Sequence, residues 1–252
     1  MEIEKSIINT PLNIIRTTNQ NYIMKKISIF LLALLGISFS NCGQESLNQI
    51  QITPEELMSW QTFDKGRRTI NGDELIVEEI EGSNGYFIIS PEVLKDEFVL
   101  KYKVKALSSS TVLINLFSVT QEGNSETFEL PPETSSPSEV WQWRTTMKHY
   151  NLTFNNKSHG TKPFFFKNKS PYALGFRERL PENIMETDKW YSVEIGKKAG
   201  RVWFKLNDVF HFDIADCQPL KGGRLIFRIS GTTGENVILA KAAYKDIMLS
   251  YE

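Results

Sequence analysis

Apolar residues between Leu75 and Ser250 come in short runs, each broken by turn residues before a helical period can repeat. The clearest is Phe98-Val99-Leu100-Lys101-Tyr102-Lys103-Val104-Lys105. It is apolar on even positions and Lys on the odd ones after Val99, the two-residue period of a half-buried strand. Further β-rich runs lie at 75–77, 86–89, 111–120, 147–154, 190–195, 201–206, 209–212, 224–229 and 242–250. Gly82-Ser83-Asn84-Gly85, Gly123-Asn124 and Asn207-Asp208 supply turn signals between them. About ten strands so spaced, with no helix-period segment of useful length, predict an all-β sandwich or barrel built as one domain. One short helix is expected before them. Thr53 is its N-cap, Pro54 its first residue and Glu56 completes a capping box, with an end near Trp60.

The N-terminus reads differently. Met24-Lys25-Lys26 precedes an uncharged, mostly apolar run from Ile27 to Phe39, followed by Ser40-Asn41-Cys42. A basic start, an apolar stretch of roughly 7–15 residues and a small-residue junction make a secretory signal peptide. A spanning helix would need about 20 apolar residues. With Cys at the expected cleavage point, the segment resembles a lipoprotein signal of the looser kind seen in Bacteroidetes. Phe39-Ser40-Asn41-Cys42 lacks the Leu and the Gly or Ala of the strict lipobox. The expectation is an acylated Cys42 and a lipid-anchored protein of the cell envelope, on the periplasmic or the surface face; an ordinary cleaved signal with an incidental Cys is the alternative. Residues 1–23 read as an overcalled start, 24–41 as the signal, 42–52 as a tether and 53–252 as the folded domain.

Beyond residue 41 there are 211 residues with 25 basic and 28 acidic side chains. That length suffices for one core, and a near-balanced charge gives no field to attract nucleic acid. The membrane is met through the lipid alone. Acylation of Cys42 leaves Cys217 as a free thiol, and no Cys/His spacing suits a metal; no cofactor is expected. One stretch breaks the regular spacing. Residues 155–186 are rich in Lys, Asn, Pro and Phe, and Phe164-Phe165-Phe166 lies inside them. Loops beyond about 12–15 residues are uncommon in compact domains, and so many aromatics predict a folded insertion packed over one face.

The C-terminal third carries a recognisable order. Trp190-Tyr191-Ser192-Val193-Glu194-Ile195 leads through Gly200 to Arg201-Val202-Trp203-Phe204-Lys205-Leu206-Asn207-Asp208 and Phe210-His211-Phe212-Asp213. Pro219-Leu220-Lys221-Gly222-Gly223-Arg224-Leu225-Ile226-Phe227-Arg228 and Ala243-Tyr244-Lys245-Asp246-Ile247 close it. This order resembles the closing strands of concanavalin A-like jelly rolls, the lectin/glucanase superfamily. With the block from Trp141 to Phe154 and its Asn/Lys/Phe-rich sequel, the chain is most similar to the DUF1961 group, over roughly residues 60–252. The resemblance implies a jelly-roll β-sandwich of two antiparallel sheets and a role in degrading uronic-acid polysaccharides. Lectins, hydrolases and lyases all share that fold, so it does not fix the reaction.

Glucanases of this superfamily carry Glu-x-Asp-x-x-Glu on one strand, since retaining hydrolysis needs two carboxyls about 5–5.5 Å apart. No such triplet exists here, and Glu78, Glu79, Glu81 and Glu126 fall at strand ends or turns. A carboxylate-pair hydrolase is therefore disfavoured. Strand alternation turns Tyr150, Leu152 and Phe154 inward and sets His149, Asn151 and Thr153 on the opposite face, with Arg228 outward beside Ile226. If that face is concave, His149, Asn151 and Arg228 converge on it. Lys162, Lys167, Lys169, Arg177 and Arg179 lie on the insertion that would cover it, and Trp141 or Trp143 would support a sugar face.

Such a set suits a carboxylated sugar, because Arg grips a carboxylate bidentately. It also suits β-elimination, in which the neutralised carboxylate makes the C5 proton acidic and a base removes it. His149 or His159 is the candidate base, and Tyr172 the candidate acid at the departing oxygen. Each has a plainer reading: His149 as a strand histidine satisfied by neighbours, His159 as an exposed loop residue, His211 as structural, and Arg228 and Arg177 as solvated charges. Two functions stand at this point. One is a lyase or dehydratase acting on acidic oligosaccharides; the other is a non-catalytic carbohydrate-binding lipoprotein, with a glycoside hydrolase behind both.

Overall fold

The computed structural model describes residues 48–121, 128–155, 160–170, 173–232 and 236–251. Among these, fifteen strands form two sheets in which every pairing is antiparallel. The first sheet runs β13 (Val209–Ala215), β12 (Arg201–Leu206), β11 (Trp190–Lys198), β6 (Phe98–Ala106), β15 (Lys241–Tyr251), β4 (Glu74–Glu79) and β3 (Gly66–Asn71). β1 (Asn48–Ile52) also pairs with β15. The second runs β10 (Ala173–Arg179), β9 (Phe164–Ser170), β8 (Lys148–Asn155), β7 (Val112–Thr120), β14 (Arg224–Ser230), β5 (Tyr86–Ile89) and β2 (Gln61–Phe63).

Alternation along each strand builds the core. On β6, Phe98, Leu100, Tyr102 and Val104 are buried while Lys101 and Lys103 are exposed. Tyr150, Leu152 and Phe154 of β8 and Leu225, Phe227 and Ile229 of β14 meet Val202, Phe204 and Leu206 of β12 in one cluster. Aromatic pairs lock the sheets together: Phe154 to Phe204 at 5.0 Å between ring centres, and Tyr102 edge-on to Phe227 at 5.4 Å. The two-residue turn Asn207-Asp208 closes the β12–β13 hairpin with both residues at positive φ, 50° and 63°, as a type I′ turn requires. The helix expected at Thr53 is α1 (Pro54–Ser59), with the capping box in place.

Three expectations need correcting. The tether drawn over 42–52 ends too late, because its last five residues are strand β1; Asn48, Gln49 and Gln51 conceal a strand that buries only Ile52 in the core and otherwise rests on backbone pairing with β15. A second helix exists, α2 (Pro137–Thr146), capped by Ser136 and Glu139 in the same way as α1. It buries Val140 and half-buries Trp143 while most other positions stay polar, so no apolar stripe announces it. The stretch 155–186 supplies β9 and β10, which widen the second sheet rather than lie across it.

α2 covers part of the outer face of the second sheet. Trp143 packs against Phe63 at 5.5 Å and Phe87 at 5.7 Å, and Val140 and Met147 join Ile89, Leu116 and Ile226 in a second apolar cluster. The rest of that face, towards β8, β9 and β10, stays open as a cavity.

Candidate functional site

The cavity is a trough of about 570 Å³, within the roughly 300–1,000 Å³ of ordinary ligand pockets. Sheet register lays out its floor. One row across the strands reads Phe87, Arg228, Ile114, Thr153, Phe164; the next reads Ile226, Leu116, Asn151, Phe166, Arg177; a third pairs His149 with Asn168. Residues in one row share a face, and adjacent strands lie about 4.8 Å apart. His149, Asn151, Thr153 and Arg228 therefore point to the same side from strands two apart. α2 adds Trp141 and Arg144 above them.

Arg228 is 9 % exposed, with its guanidinium over the Phe87 ring at 4.9 Å and one Nη donating to the Asn84 carbonyl at 2.8 Å. Gly85 makes room for it: a Cβ there would come within 2.2 Å of the guanidinium, and the φ of +106° suits glycine. Burial lowers the Arg228 pKa to about 9, with the charge of Arg144 adding to the effect, and burial alone lowers Arg144 to about 10. Arg177 stands exposed at the rim on β10.

His149 is 3 % exposed, and its Nδ1 lies 3.0 Å from the Met147 carbonyl. Burial pulls its pKa down to about 4 against the opposing bond to Met147, and the Arg144 charge pushes the same way as burial. The ring is thus neutral at neutral pH. Asn168 donates to the carbonyls of Thr145 at 2.9 Å and Met147 at 2.7 Å, pinning the end of α2 beside His149. The wall is aromatic: Phe164 and Phe166 stack at 6.0 Å and 14°, and His149 meets Phe166 edge-on at 5.8 Å. Trp141, half exposed, stands at the rim.

The cavity thus gathers His149, Asn151, Arg177, Arg228 and Trp141, five of the residues singled out from sequence. His159, Tyr172 and Cys42 lie outside the described residues. The basic insertion contributes less than expected. Lys167 turns to the opposite face of β9, where it pairs with buried Asp216 at 2.7 Å, because alternation that sends Phe166 and Asn168 outward sends Lys167 inward. Lys162, Lys169 and Arg179 do not line the cavity. His211 packs on Phe204 at 5.9 Å, away from it. Sequence reading passed over Arg144 and Asn168. The Ser136-Pro137-Ser138-Glu139 capping box was the available signal for the helix that carries Arg144.

Among the described residues lining the cavity there is no carboxylate and no tyrosine. Three arginines, a neutral imidazole, amides and aromatic faces can neutralise an anion, support an apolar ring face and accept a proton.

No protein-family model and no curated protein matches this chain. Solved structures do. A protein of unknown function with a galectin-like fold from Bacillus subtilis aligns with a TM-score of 0.61 at 14 % identity, over 79 % of this chain and 92 % of that one. A Bacillus licheniformis beta-glucanase aligns at 0.52 and 8 %, over 77 % and 92 %. A beta-1,3-1,4-glucanase (lichenase) from a mouse hindgut metagenome aligns at 0.53 and 10 %, over 80 % and 98 %. At such identities the likeness concerns fold alone, and the fold is the all-β jelly-roll sandwich of two antiparallel sheets anticipated from the closing strands.

Proposed function

We propose that this chain is a carbohydrate-active protein of the cell envelope, anchored through Cys42, that takes an acidic, uronate-containing oligosaccharide into its cavity and eliminates at C4. One observation carries the reading: the cavity collects three arginines and a histidine without a single carboxylate among its described lining residues. Fold neighbours that are glucanases make a saccharide the natural class of ligand. Phe164, Phe166 and Trp141 offer faces for sugar rings.

In this mechanism Arg228 neutralises the uronate carboxylate, which acidifies the C5 proton. His149 takes that proton at Nε2, the C–H electrons form the C4=C5 double bond, and the C4–O bond breaks. The departing oxygen receives a proton either from the newly charged His149 or from Tyr172. A bound carboxylate raises the imidazole pKa from its depressed value, because an adjacent negative charge favours the protonated ring.

A second reading, binding without turnover, is favoured by the depth of that depression: a free-state pKa of about 4 is far from the value that suits a base at neutral pH. One assay separates the two. The double bond is conjugated to the carboxylate, so pectic, alginate or ulvan-type oligosaccharides incubated with the protein should gain ultraviolet absorbance, and His149→Ala should abolish the gain. Binding of one of them with no gain on any leaves the binding protein. The anchor is tested separately: labelled palmitate should enter the wild type and be lost in Cys42→Ala, and equal labelling removes the anchor.

A further inference from the structure

Arg144 and Arg228 present a problem the rest of the fold does not explain. Each has a buried Nε–H with no hydrogen-bond partner among the described residues, and neither forms an ion pair with a described carboxylate. Buried charges in folded proteins are ordinarily paired. The acids whose charges reach Arg228 are Glu79 and Asp64, and both are occupied elsewhere. One Glu79 carboxylate oxygen accepts from the backbone N–H groups of Gly231 at 2.7 Å and Ala240 at 2.8 Å, the other from Ser83. Asp64 accepts from the backbone of Asn84 and Lys65.

The two arginines come from different elements, α2 and β14, yet line one cavity, and the charge of Arg144 disfavours that of Arg228. Arg144 sits in the last turn of α2, where a cation suits the helix dipole, but that leaves its Nε–H unanswered. Arg228 is seated by Gly85, Asn84 and Phe87 and is 9 % exposed.

We infer that Arg144 and Arg228 together form a site for one oxyanion, a carboxylate or a sulfate ester carried by a sugar, which supplies a counter-ion that no described residue lining the cavity provides and ties α2 to the sheet. For the anion's carrier this rests on the proposed acidic ligand; the site itself does not. Arg144 is thereby a specificity-determining residue, and a neutral oligosaccharide leaves two buried guanidinium Nε–H groups without a partner among the described residues.

The test uses inorganic sulfate, galacturonate and neutral galactose as probes, with the whole chain and ionic strength held constant by chloride. Calorimetric titration should give binding of sulfate or galacturonate, or both, and none of galactose. Arg144→Gln should weaken it about tenfold or more, the loss expected for hydrogen bonds to a charged group. Arg144→Lys, which keeps the charge but loses the fork, should fall between, and it serves if the Gln variant does not fold. Arg179→Gln, outside the cavity, should leave binding unchanged. Galacturonate alone assigns the site to a carboxylate and sulfate alone to a sulfate ester; the latter upholds the site while defeating the uronate reading. If neither anion binds, or if binding survives unchanged in both Arg144 variants, the oxyanion site is overturned. In that event an acidic oligosaccharide that still binds keeps the proposed function standing.

Discussion

The Nδ1 of His149 lies 3.0 Å from the carbonyl oxygen of Met147, which fixes the tautomer of the ring. A carbonyl only accepts, so the neutral imidazole carries its proton on Nδ1 and leaves the lone pair on Nε2. Asn168 donates to the same carbonyl at 2.7 Å and holds it in place. If His149 is the base of the proposed elimination, Asn168→Ala should lower turnover through the position of His149, and it should shift the pH profile of kcat rather than abolish activity. An unchanged profile would show that Asn168 serves only to hold α2.

The same burial makes the protein sensitive to acid. His149 has a native pKa of about 4 against an unfolded value of about 6.5. Between these values the unfolded chain binds a proton that the native state refuses. The stability present above about pH 6.5 is therefore lost as pH falls towards 4, by up to ~3 kcal/mol. Urea denaturation at pH 7 and pH 4.5 should show His149→Gln losing less stability than the wild type over that interval. Parallel losses would contradict the linkage.

A second buried network sits at the other face of β9. Lys167 donates to both oxygens of Asp216 and to the Gln218 carbonyl, while the Tyr150 hydroxyl donates to Asp216 at 2.6 Å and accepts from the Leu220 backbone. Removing one member of a buried pair strands the other. Asp216→Ala should cost about 3–5 kcal/mol of stability, and Tyr150→Phe about 1–2 kcal/mol, both read from denaturation midpoints. A Lys167→Met, Asp216→Leu double variant should recover much of the loss; failure to recover would place the cost in packing rather than in the stranded charge.

Much of the sandwich was legible because its strands alternate. Phe98 to Lys105 and Lys148 to Phe154 each declare an inner and an outer face, and the outer face of the second segment became the floor of the cavity. Less was legible where the backbone outweighs the side chains. β1 is mostly polar and sends only Ile52 into the core, and α2 buries too little to show a period. Missing α2 meant missing Arg144. Lys167 misled for the opposite reason: a lysine within a basic stretch is ordinarily solvated, and its burial rests on partners distant in sequence, Asp216 49 residues further on foremost among them.

Gly85 tests whether the seat of Arg228 is specific. An added Cβ meets the guanidinium at 2.2 Å, and the φ of +106° is unfavourable for any L side chain. Gly85→Ala should cost about 1–3 kcal/mol of stability and weaken acidic ligands in step with Arg228→Gln. Stability lost with affinity intact would detach the turn from the site.

The central claim is that the cavity exists to meet negative charge. The direct measurement is calorimetric titration of the whole chain with a uronate trisaccharide and with the corresponding neutral trisaccharide, at low and at high salt. Preferential binding of the uronate form is predicted, weakening with added salt and falling about tenfold or more in Arg228→Gln. Equal affinity for the two trisaccharides, unaffected by salt or by Arg228→Gln, would contradict the account.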